Sequence, residues 1–298
     1  MRRVLITGAT GFTGRYLARE FKGAGYETSG FARKIDSLPE YDFLYECDLV
    51  SENDLLRVIE KVKPQYVVHL AAIAFVAHGD ADEIYRTNII GTRHLLEALR
   101  KATVKPEAVL LASSANIYGN TYEQMLTEDV TPTPANDYAV SKLAMEYIAS
   151  LYREWLPIII TRPFNYTGVG QSKSFLLPKI IDHFQRRAQV IELGNLDVAR
   201  DFSDVRVVVE AYRRLLETPM AIGGTFNVCS GRSHTLQEVL QLMREISGYN
   251  LDVKVNPAFV RANEVKNLLG SRRKLEEYIG PIKNTPLPEI LKWIFSNP

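Results

Sequence analysis

The stretch RVLITGATGFTG, residues 3–14, carries the strongest structural signal in this sequence. It opens with a short apolar run typical of a buried β-strand, and Gly8, Gly11 and Gly14 follow directly. Glycine lets the backbone turn sharply and approach a pyrophosphate, which then meets the amino terminus of the next helix. The spacing is Gly-x-x-Gly-x-x-Gly, and its place between a strand and a helix (Phe12 to Lys22) predicts a dinucleotide-binding loop.

The first half of the chain repeats this alternation of apolar strands and amphipathic helices. The later strands are ETSGFA, FLYECDL, YVVHLA, AVLLASS and PIIITR, with long helices predicted over EIYRTNIIGTRHLLEALRKA and YAVSKLAMEYIASLYREW. Near-continuous apolar strands interleaved with helices imply a parallel sheet covered on both faces. We therefore predict an α/β protein with a Rossmann-type doubly wound parallel sheet.

After Arg162 the rhythm changes to a polar loop followed by shorter elements, which predicts a smaller α/β substrate-binding lobe. The expected division is residues 1–165 plus 201–229 for the dinucleotide-binding domain, and 166–200 plus 230–298 for the lobe.

Composition excludes several functional classes. The chain has 298 residues, 46% of them hydrophobic, and a formal net charge of +1, which argues against a nucleic-acid surface. Cys47 and Cys229 match no metal or redox spacing, and the five histidines show no ligand pattern, so we expect reduced thiols and no metal. No apolar run is long enough to span a membrane, and the amino-terminal run reads as a strand rather than a signal peptide. We expect a cytoplasmic protein without nucleic-acid or membrane partners.

The end of the second strand indicates which dinucleotide binds. An acidic residue there holds the ribose hydroxyls of NAD, whereas a basic residue accommodates the additional phosphate of NADP. GFARK places Arg33 and Lys34 at this position, so the sequence favours NADP(H). Asp36 lies close enough to leave NAD(H) as an alternative.

A reactive pair lies in DYAVSK. Tyr138 and Lys142 are four residues apart at the start of a helix, so both project from one face. A nearby ammonium stabilises a phenolate, and such a tyrosine can give a proton to a carbonyl oxygen or take one back. The strand AVLLASS delivers Ser113 and Ser114 to its carboxyl end, where a hydroxyl can hydrogen-bond the same oxygen.

With these residues assembled, the chain resembles the extended short-chain dehydrogenase/reductase family, in its nucleotide-sugar-modifying branch, over almost its full length. TGATGFTG, CDL, HLAA, TNIIGT, SSANIYG, YAVSK and RPFNYTG occur in the family's order and spacing. The resemblance implies that Ser114, four residues before Tyr118, is catalytic together with Tyr138 and Lys142, and that Ser113 has a supporting role. It also implies a homodimer.

The resemblance places Asp48 and Leu49 beside the adenine and Ala71 and Ala72 beside the pyrophosphate, and gives Asn88 the role of positioning the catalytic helix. Lys142 would also hold the nicotinamide ribose. The residues expected to bind the cofactor are Gly8, Gly11, Phe12, Thr13, Gly14, Arg33, Asp48, Leu49, Leu70, Ala71, Ala72, Tyr138 and Lys142.

One departure separates the chain from the sugar-nucleotide 4,6-dehydratases it resembles. Those enzymes carry a glutamate two residues before the tyrosine that corresponds to Tyr118, whereas this sequence has Asn116. Removing a proton from carbon five of a sugar requires a base, which an amide cannot be. We therefore expect carbonyl–alcohol redox chemistry rather than dehydration.

Motifs in the carboxyl-terminal half of the sequence indicate the class of substrate. GNLDVARDFSDV, FNVCSG and VRANEVKNLLGS resemble segments of the GDP-mannose 4,6-dehydratase group, and most of all its reductases, which convert GDP-4-keto-6-deoxy-D-mannose to GDP-D-rhamnose. The resemblance implies that Arg200 and Arg261 grip the diphosphate, as guanidinium groups suit phosphate oxygens. Glu264 would help to hold the nucleotide's ribose or base, Asn165 would contact the sugar–phosphate, and Ser114 would contact the substrate carbonyl.

Other features depart from the family. RANE stands where relatives often read Arg-Pro-x-Glu, and Tyr166 replaces a frequent histidine. His78, in AIAFVAHGDAD, is a candidate substrate contact. The leading hypothesis is thus an NADP(H)-dependent reductase of a GDP-linked 4-keto sugar. The alternatives are a UDP-hexose 4-epimerase with tightly bound NAD, a 4,6-dehydratase and a non-catalytic NADP-binding sensor.

Overall fold

The computed structural model describes residues 1–35, 37–74, 80–121, 123–259 and 265–298. Its strands are β1 (Arg3–Thr7), β2 (Glu27–Ala32), β3 (Phe43–Glu46), β4 (Tyr66–His69), β5 (Ala108–Ala112), β6 (Ile158–Pro163), β7 (Asn165–Thr167), β8 (Val190–Leu193), β9 (Ala199–Asp204), β10 (Thr225–Val228), β11 (Ser233–Thr235), β12 (Asp252–Val255) and β13 (Asn267–Leu268). Its α-helices are α1 (Phe12–Gly23), α2 (Glu52–Val62), α3 (Ala81–Tyr85), α4 (Gly91–Lys101), α5 (Asp137–Ser150), α6 (Leu176–Gln185), α7 (Val205–Leu216), α8 (Leu236–Ser247), α9 (Arg273–Ile279) and α10 (Leu287–Phe295).

The main sheet has seven strands in the order β10-β6-β5-β4-β1-β2-β3, and every neighbouring pair is parallel. The predicted Rossmann-type parallel sheet is therefore confirmed. The chain starts at the middle of the sheet and winds outward in both directions, so a crevice opens at the carboxyl ends of β1 and β4. The glycine loop follows β1, and Ser113 and Ser114 follow β5.

Hydrophobic residues bury both faces of this sheet. One face packs against α1 and α7, with Leu17, Phe21 and Tyr212 fully buried there. The other packs against α2, α4 and α5, and contains Leu95 and Met145. Because both faces are covered, the strands read as continuous apolar runs rather than as alternating patterns.

A second hydrophobic core lies among α6, α8 and α10, together with residues of β8 and β9. The sheet of this region has the order β11-β9-β13, and β7 also pairs with β9. β10 then returns to the edge of the main sheet beside β6, and Leu275 and Ile279 of α9 pack on the α1 face. The division into two domains at the boundaries given above stays a prediction.

Several elements differ from the sequence prediction. The helix predicted over residues 83–102 is broken by a π-helical turn, Arg86–Ile90, between α3 and α4. β3 ends at Glu46 and β4 at His69, before the polar and small residues that the prediction had included. α5 ends at Ser150 rather than near residue 155. These shorter elements leave the chain around Asp48 and Leu70 as loops at the crevice.

Candidate functional site

The turn after β1 is shaped to receive a diphosphate. Gly8 has a φ of 69°, in the left-handed region, and a Cβ on it would lie 2.9 Å from the backbone nitrogen of Ala71. A Cβ on Gly14 would lie 2.5 Å from the carbonyl oxygen of Gly8. Gly11, at the amino terminus of α1, makes no side-chain cap, so the first backbone N–H groups of the helix face the crevice. This geometry fits a pyrophosphate bound by backbone donors and the helix dipole.

Two adjoining cavities extend from this turn. The first has a volume of about 440 Å³ and contains predicted adenosine-side residues, namely Gly8, Gly11, Arg33, Asp48, Leu49, Leu70, Ala71 and Ala72. The second has a volume of about 390 Å³ and contains predicted reaction-side residues, namely Gly8, Gly11, Phe12, Thr13, Gly14, Leu70, Ala72, Ser113, Ser114, Tyr138, Lys142 and Asn165. The structure thus brings every cofactor residue predicted from sequence to one of two connected spaces.

The three predicted catalytic side chains meet in the second cavity. Tyr138 and Lys142 lie on the first turns of α5 and are only 8% and 4% exposed. The Lys142 ammonium donates to the carbonyl oxygen of Ala112, at 2.7 Å, and lies 6.0 Å from the centre of the Tyr138 ring. Ser114 faces them from the end of β5, and its hydroxyl lowers the pKa of Tyr138 by hydrogen bonding, against the larger effect of burial.

Burial sets the protonation of this pair. It raises the pKa of Tyr138 above the ordinary value of about 10, so the phenol keeps its proton at neutral pH. Burial also lowers the pKa of Lys142 to about 8, although the carboxylate of Glu146 opposes the shift. At neutral pH the site therefore holds a protonated phenol beside an ammonium, which is the state required of a proton donor.

Asn116 occupies the place of the dehydratase glutamate. Its backbone N–H and its side-chain amide both donate to the Ser114 hydroxyl oxygen, each at 3.2 Å. With these two bonds accepted, the Ser114 hydroxyl acts as a donor, towards the Tyr138 hydroxyl or towards a ligand in the cavity. Among the residues that the structure describes, neither aspartate nor glutamate lines this second cavity.

The predicted substrate-binding residues do not all lie at the second cavity. Asn165 lines the second cavity. Arg200 does not line either of the two cavities; its guanidinium donates to the backbone carbonyl oxygens of Ala199 and Lys266. Arg261, Glu264 and His78 lie outside the described residues, as does Asp36.

Several lining residues were not predicted from sequence. On the adenosine side, Glu83 and Arg86 join Arg33, and Glu83 lies 4.0 Å from the Arg33 guanidinium. On the reaction side, the Tyr166 hydroxyl hydrogen-bonds Thr13 at 2.8 Å, and its ring stacks on Phe12. No local motif marks Glu83 or Arg86, because tertiary packing brings α3 and the π-helical turn to this cavity. The replacement of histidine by Tyr166 was the one available signal.

Three further features of the described residues concern metal-binding clusters, membrane-spanning helices and thiols. No three His, Cys, Asp or Glu side chains within it are grouped so as to hold a metal ion, and none of its helices is long and apolar enough to cross a membrane. Cys47 and Cys229 are buried free thiols, and burial raises the pKa of both.

Comparison with known proteins shows the family to which the chain belongs. Residues 4–229 match the profile of the NAD dependent epimerase/dehydratase family. GDP-6-deoxy-D-talose 4-dehydrogenase of Aggregatibacter actinomycetemcomitans is 34% identical over 299 residues, which cover 99% of this chain and 97% of that protein. GDP-6-deoxy-D-mannose reductase of Pseudomonas aeruginosa is 33% identical over 311 residues, with coverage of 99% and 97%.

A solved structure agrees over the same length. RMD from Pseudomonas aeruginosa, complexed with NADPH, superposes with a TM-score of 0.86 at 30% identity, covering 100% of this chain and 98% of that one. The resemblance that the sequence motifs indicated is thereby confirmed. This chain belongs to the NAD dependent epimerase/dehydratase family, among the extended short-chain dehydrogenases/reductases.

Proposed function

We propose that this protein is an NADP(H)-dependent reductase of a 4-keto-sugar nucleotide, and that it converts GDP-4-keto-6-deoxy-D-mannose to GDP-D-rhamnose. The observation that carries the proposal is the lining of the second cavity. Ser114, Tyr138 and Lys142 meet there, and no carboxylate lines it among the described residues. Relatives that act on GDP-6-deoxyhexoses support the choice of substrate class.

The bound dinucleotide would supply a hydride, and the protein residues would control the carbonyl oxygen that becomes a hydroxyl. Ser114 donates a hydrogen bond to this oxygen, because the amide and backbone of Asn116 already occupy its acceptor positions. Tyr138 gives its proton to the same oxygen as negative charge develops. The Lys142 ammonium stabilises the phenolate that remains. Proton abstraction from carbon five, the dehydratase step, would require a base that this cavity lining does not provide.

The adenosine-side cavity favours NADP(H). Arg33 and Arg86 line it together, and a guanidinium can bind a phosphate with two parallel hydrogen bonds. Glu83 lies beside Arg33, so the two compete for the ribose: Arg33 would take the 2′-phosphate of NADP, and Glu83 the 2′-hydroxyl of NAD.

Arg33→Ala is therefore expected to weaken NADPH binding by about 10- to 100-fold, the equivalent of one charge-assisted hydrogen bond, while NADH binding stays near that of the wild type. Fluorescence titration of both cofactors measures this. Lys34→Ala removes the same charge one residue away, outside the cavity lining, and serves as the control. Equal losses for NADH and NADPH would argue against a 2′-phosphate role.

Ketone reduction should also lose activity as the pH rises. The pKa of Lys142 is lowered to about 8, so the ammonium is present below that pH and is lost above it. The pKa of Tyr138 is raised, so its proton is retained over the same range. We expect kcat/KM to be flat near neutral pH and to fall above about pH 8, with NADPH affinity measured at each pH to separate binding from catalysis. A rate that rises through this range would contradict the assignment.

GDP-6-deoxy-D-talose is a second candidate product, because the chain is similar to GDP-6-deoxy-D-talose 4-dehydrogenase. Rhamnose and 6-deoxytalose of the D series differ only in the configuration at carbon four. Both would arise from one ketone by hydride delivery to opposite faces, with the same three residues handling the oxygen. NMR of the product distinguishes them through the coupling constants of the proton on carbon four.

The test follows NADPH absorbance with GDP-4-keto-6-deoxy-D-mannose generated in place, against the corresponding UDP-linked ketone. We expect fast oxidation of NADPH with the GDP substrate and slow oxidation with the UDP substrate. NADPH binding without turnover of either ketone would favour the sensor. Tightly bound NAD in the purified protein, together with interconversion of UDP-hexoses, would favour the 4-epimerase.

We also propose a homodimer formed through α5 and the π-helical turn. Ile90, Val140, Tyr147 and Leu151 are apolar and 43%, 40%, 68% and 69% exposed, which is unusual for large side chains in consecutive helical turns. A two-fold axis across this face would bury them on both subunits.

The double variant Tyr147→Glu/Leu151→Glu is expected to shift the protein from dimer to monomer in light scattering coupled to gel filtration. Met220→Glu, at an apolar side chain that is 80% exposed elsewhere, should leave the dimer intact. A wild-type protein that elutes as a monomer would refute this interface.

A further inference from the structure

We propose that His69 is a positioning residue for catalysis: together with Thr92 and Asn88 it links the dinucleotide-binding turn to the catalytic helix by a chain of hydrogen bonds, which passes from the backbone to the side chain of Asn88. The kinetic part of its test rests on the proposed reductase function, whereas the chain itself can be tested without turnover.

The chain begins directly beneath the cofactor turn. The hydroxyl oxygen of Thr7, the residue before Gly8, accepts hydrogen bonds from the backbone N–H groups of Leu70 (3.1 Å) and Ala71 (2.9 Å). Both acceptor positions are then used, so the Thr7 proton has to go to Nδ1 of His69, which lies 2.8 Å away. The histidine tautomer is fixed by this bond.

The ring of His69 continues the chain, with Nδ1 as acceptor and Nε2 as donor. Because Nδ1 is an acceptor, the ring is neutral and its proton is on Nε2, which donates to the Thr92 hydroxyl at 2.9 Å. Thr92 in turn donates to the backbone carbonyl oxygen of Asn88, at 2.7 Å. Burial, reinforced by the charge of Lys142, lowers the pKa of His69 to about 3 and so keeps the neutral form. His69 and Thr92 are 1% and 0% exposed.

The π-helical turn carries the chain to the catalytic helix. Asn88 lies within this turn, and its amide oxygen accepts from the N–H of Ile73 at 2.8 Å. Its amide nitrogen donates to the Ser141 hydroxyl at 2.9 Å, and Ser141 donates to the backbone carbonyl oxygen of Tyr138 at 2.7 Å. The last link therefore reaches the peptide group of the proton donor itself.

This arrangement has one consistent set of donors and acceptors. A buried polar network whose members are all satisfied adopts a single arrangement, because any break leaves an unpaired group in a medium of low dielectric. Thr7 and Asn88 bind the two ends of the loop at residues 70–73. Leu70 and Ala72 of this loop line the two cavities. The network thus fixes the cofactor turn relative to Tyr138, and misplacing a reacting group by about 1 Å can lower a rate by about 100-fold.

Thr92 is the position to vary, because it touches neither cavity and lies between His69 and Asn88. Thr92→Val keeps the shape and removes the hydroxyl, whereas Thr92→Ser keeps the hydroxyl. We expect Thr92→Val to lower kcat by about 10- to 100-fold with the Kd of NADPH changed less than about twofold, and Thr92→Ser to remain near the wild type. The double variant Thr92→Val/Ser141→Ala should lose no more kcat than the more impaired of the two single variants, because both substitutions interrupt the same chain of hydrogen bonds.

Nitrogen-15 NMR of the histidine side chains tests the chain without turnover, with His69→Gln to assign the signal. The expected spectrum shows a protonated Nε2 and an unprotonated Nδ1 for His69, in the free and NADP⁺-bound protein. The opposite tautomer or an imidazolium would overturn the proposal even if the enzyme is active. The proposal would also be overturned if the losses in kcat of the two single variants multiply in the double variant. The same holds if Thr92→Ser loses as much kcat as Thr92→Val. A wild type with the expected spectrum but no ketone reduction would instead refute the proposed function.

Discussion

Tyr138→Phe is expected to lower kcat for ketone reduction on the order of 10³-fold, within the range that a positioned general acid contributes. The phenol is the only group in the proposed mechanism that gives a proton to the carbonyl oxygen. Burial raises its pKa, so the proton is present at neutral pH in the wild type and missing in the variant. Stopped-flow measurement of NADPH oxidation under single-turnover conditions gives the rate of this step directly.

The matched control is Tyr147→Phe, the same change two turns further along α5 at a side chain that is 68% exposed. It should leave the rate unchanged. The Kd of NADPH and the melting temperature of Tyr138→Phe should also stay near those of the wild type, since only one hydroxyl is removed. A Tyr138→Phe variant that retains a tenth or more of the rate would rule out Tyr138 as the proton donor.

The second large effect is expected for Gly14→Ala, which should weaken NADPH binding by about 100-fold or more, equivalent to about 3 kcal/mol of binding free energy. A Cβ at this position would lie 2.5 Å from the carbonyl oxygen of Gly8, a distance that forces the backbone of the turn to move. The strain should also lower the free energy of unfolding by about 1–3 kcal/mol. Fluorescence titration with NADPH and thermal unfolding measure the two effects.

Gly23→Ala is the control because it makes the same substitution at the other end of the same helix. Nothing lies within 4 Å of a Cβ there, so binding should be unchanged, and helix propensity should raise stability by up to about 1 kcal/mol. If Gly14→Ala binds NADPH like the wild type, the glycine turn is not the phosphate-binding element.

Local sequence was sufficient to predict the parallel sheet and the meeting of Ser114, Tyr138 and Lys142 in one cavity. The apolar strands, the glycine turn and the Tyr138–Lys142 pair each depend on residues within a few positions of one another, where periodicity and turn chemistry are informative. Ser114 joined them because the carboxyl ends of parallel strands meet at one edge.

The residues that sequence reasoning missed are held by contacts between distant segments. Glu83 of α3 and Arg86 of the π-helical turn line the adenosine side together with residues from the ends of β1, β2 and β4, and the π-helical turn has no sequence signature of its own. Tyr166 and Thr13 are far apart in the chain and share a hydrogen bond. Arg200, assigned by family resemblance, donates to the carbonyl oxygens of Ala199 and Lys266, and its role in substrate binding stays a prediction.

Isotope transfer can show whether this protein delivers a hydride from NADPH to carbon four of a GDP-linked keto sugar. NADPH carrying deuterium at the transferable position would be reacted with GDP-4-keto-6-deoxy-D-mannose, and the product analysed by mass spectrometry and NMR. We expect one deuterium per product molecule, located on carbon four, with one NADPH consumed. A product without deuterium, or a sugar nucleotide converted with no net consumption of NADPH, would contradict it.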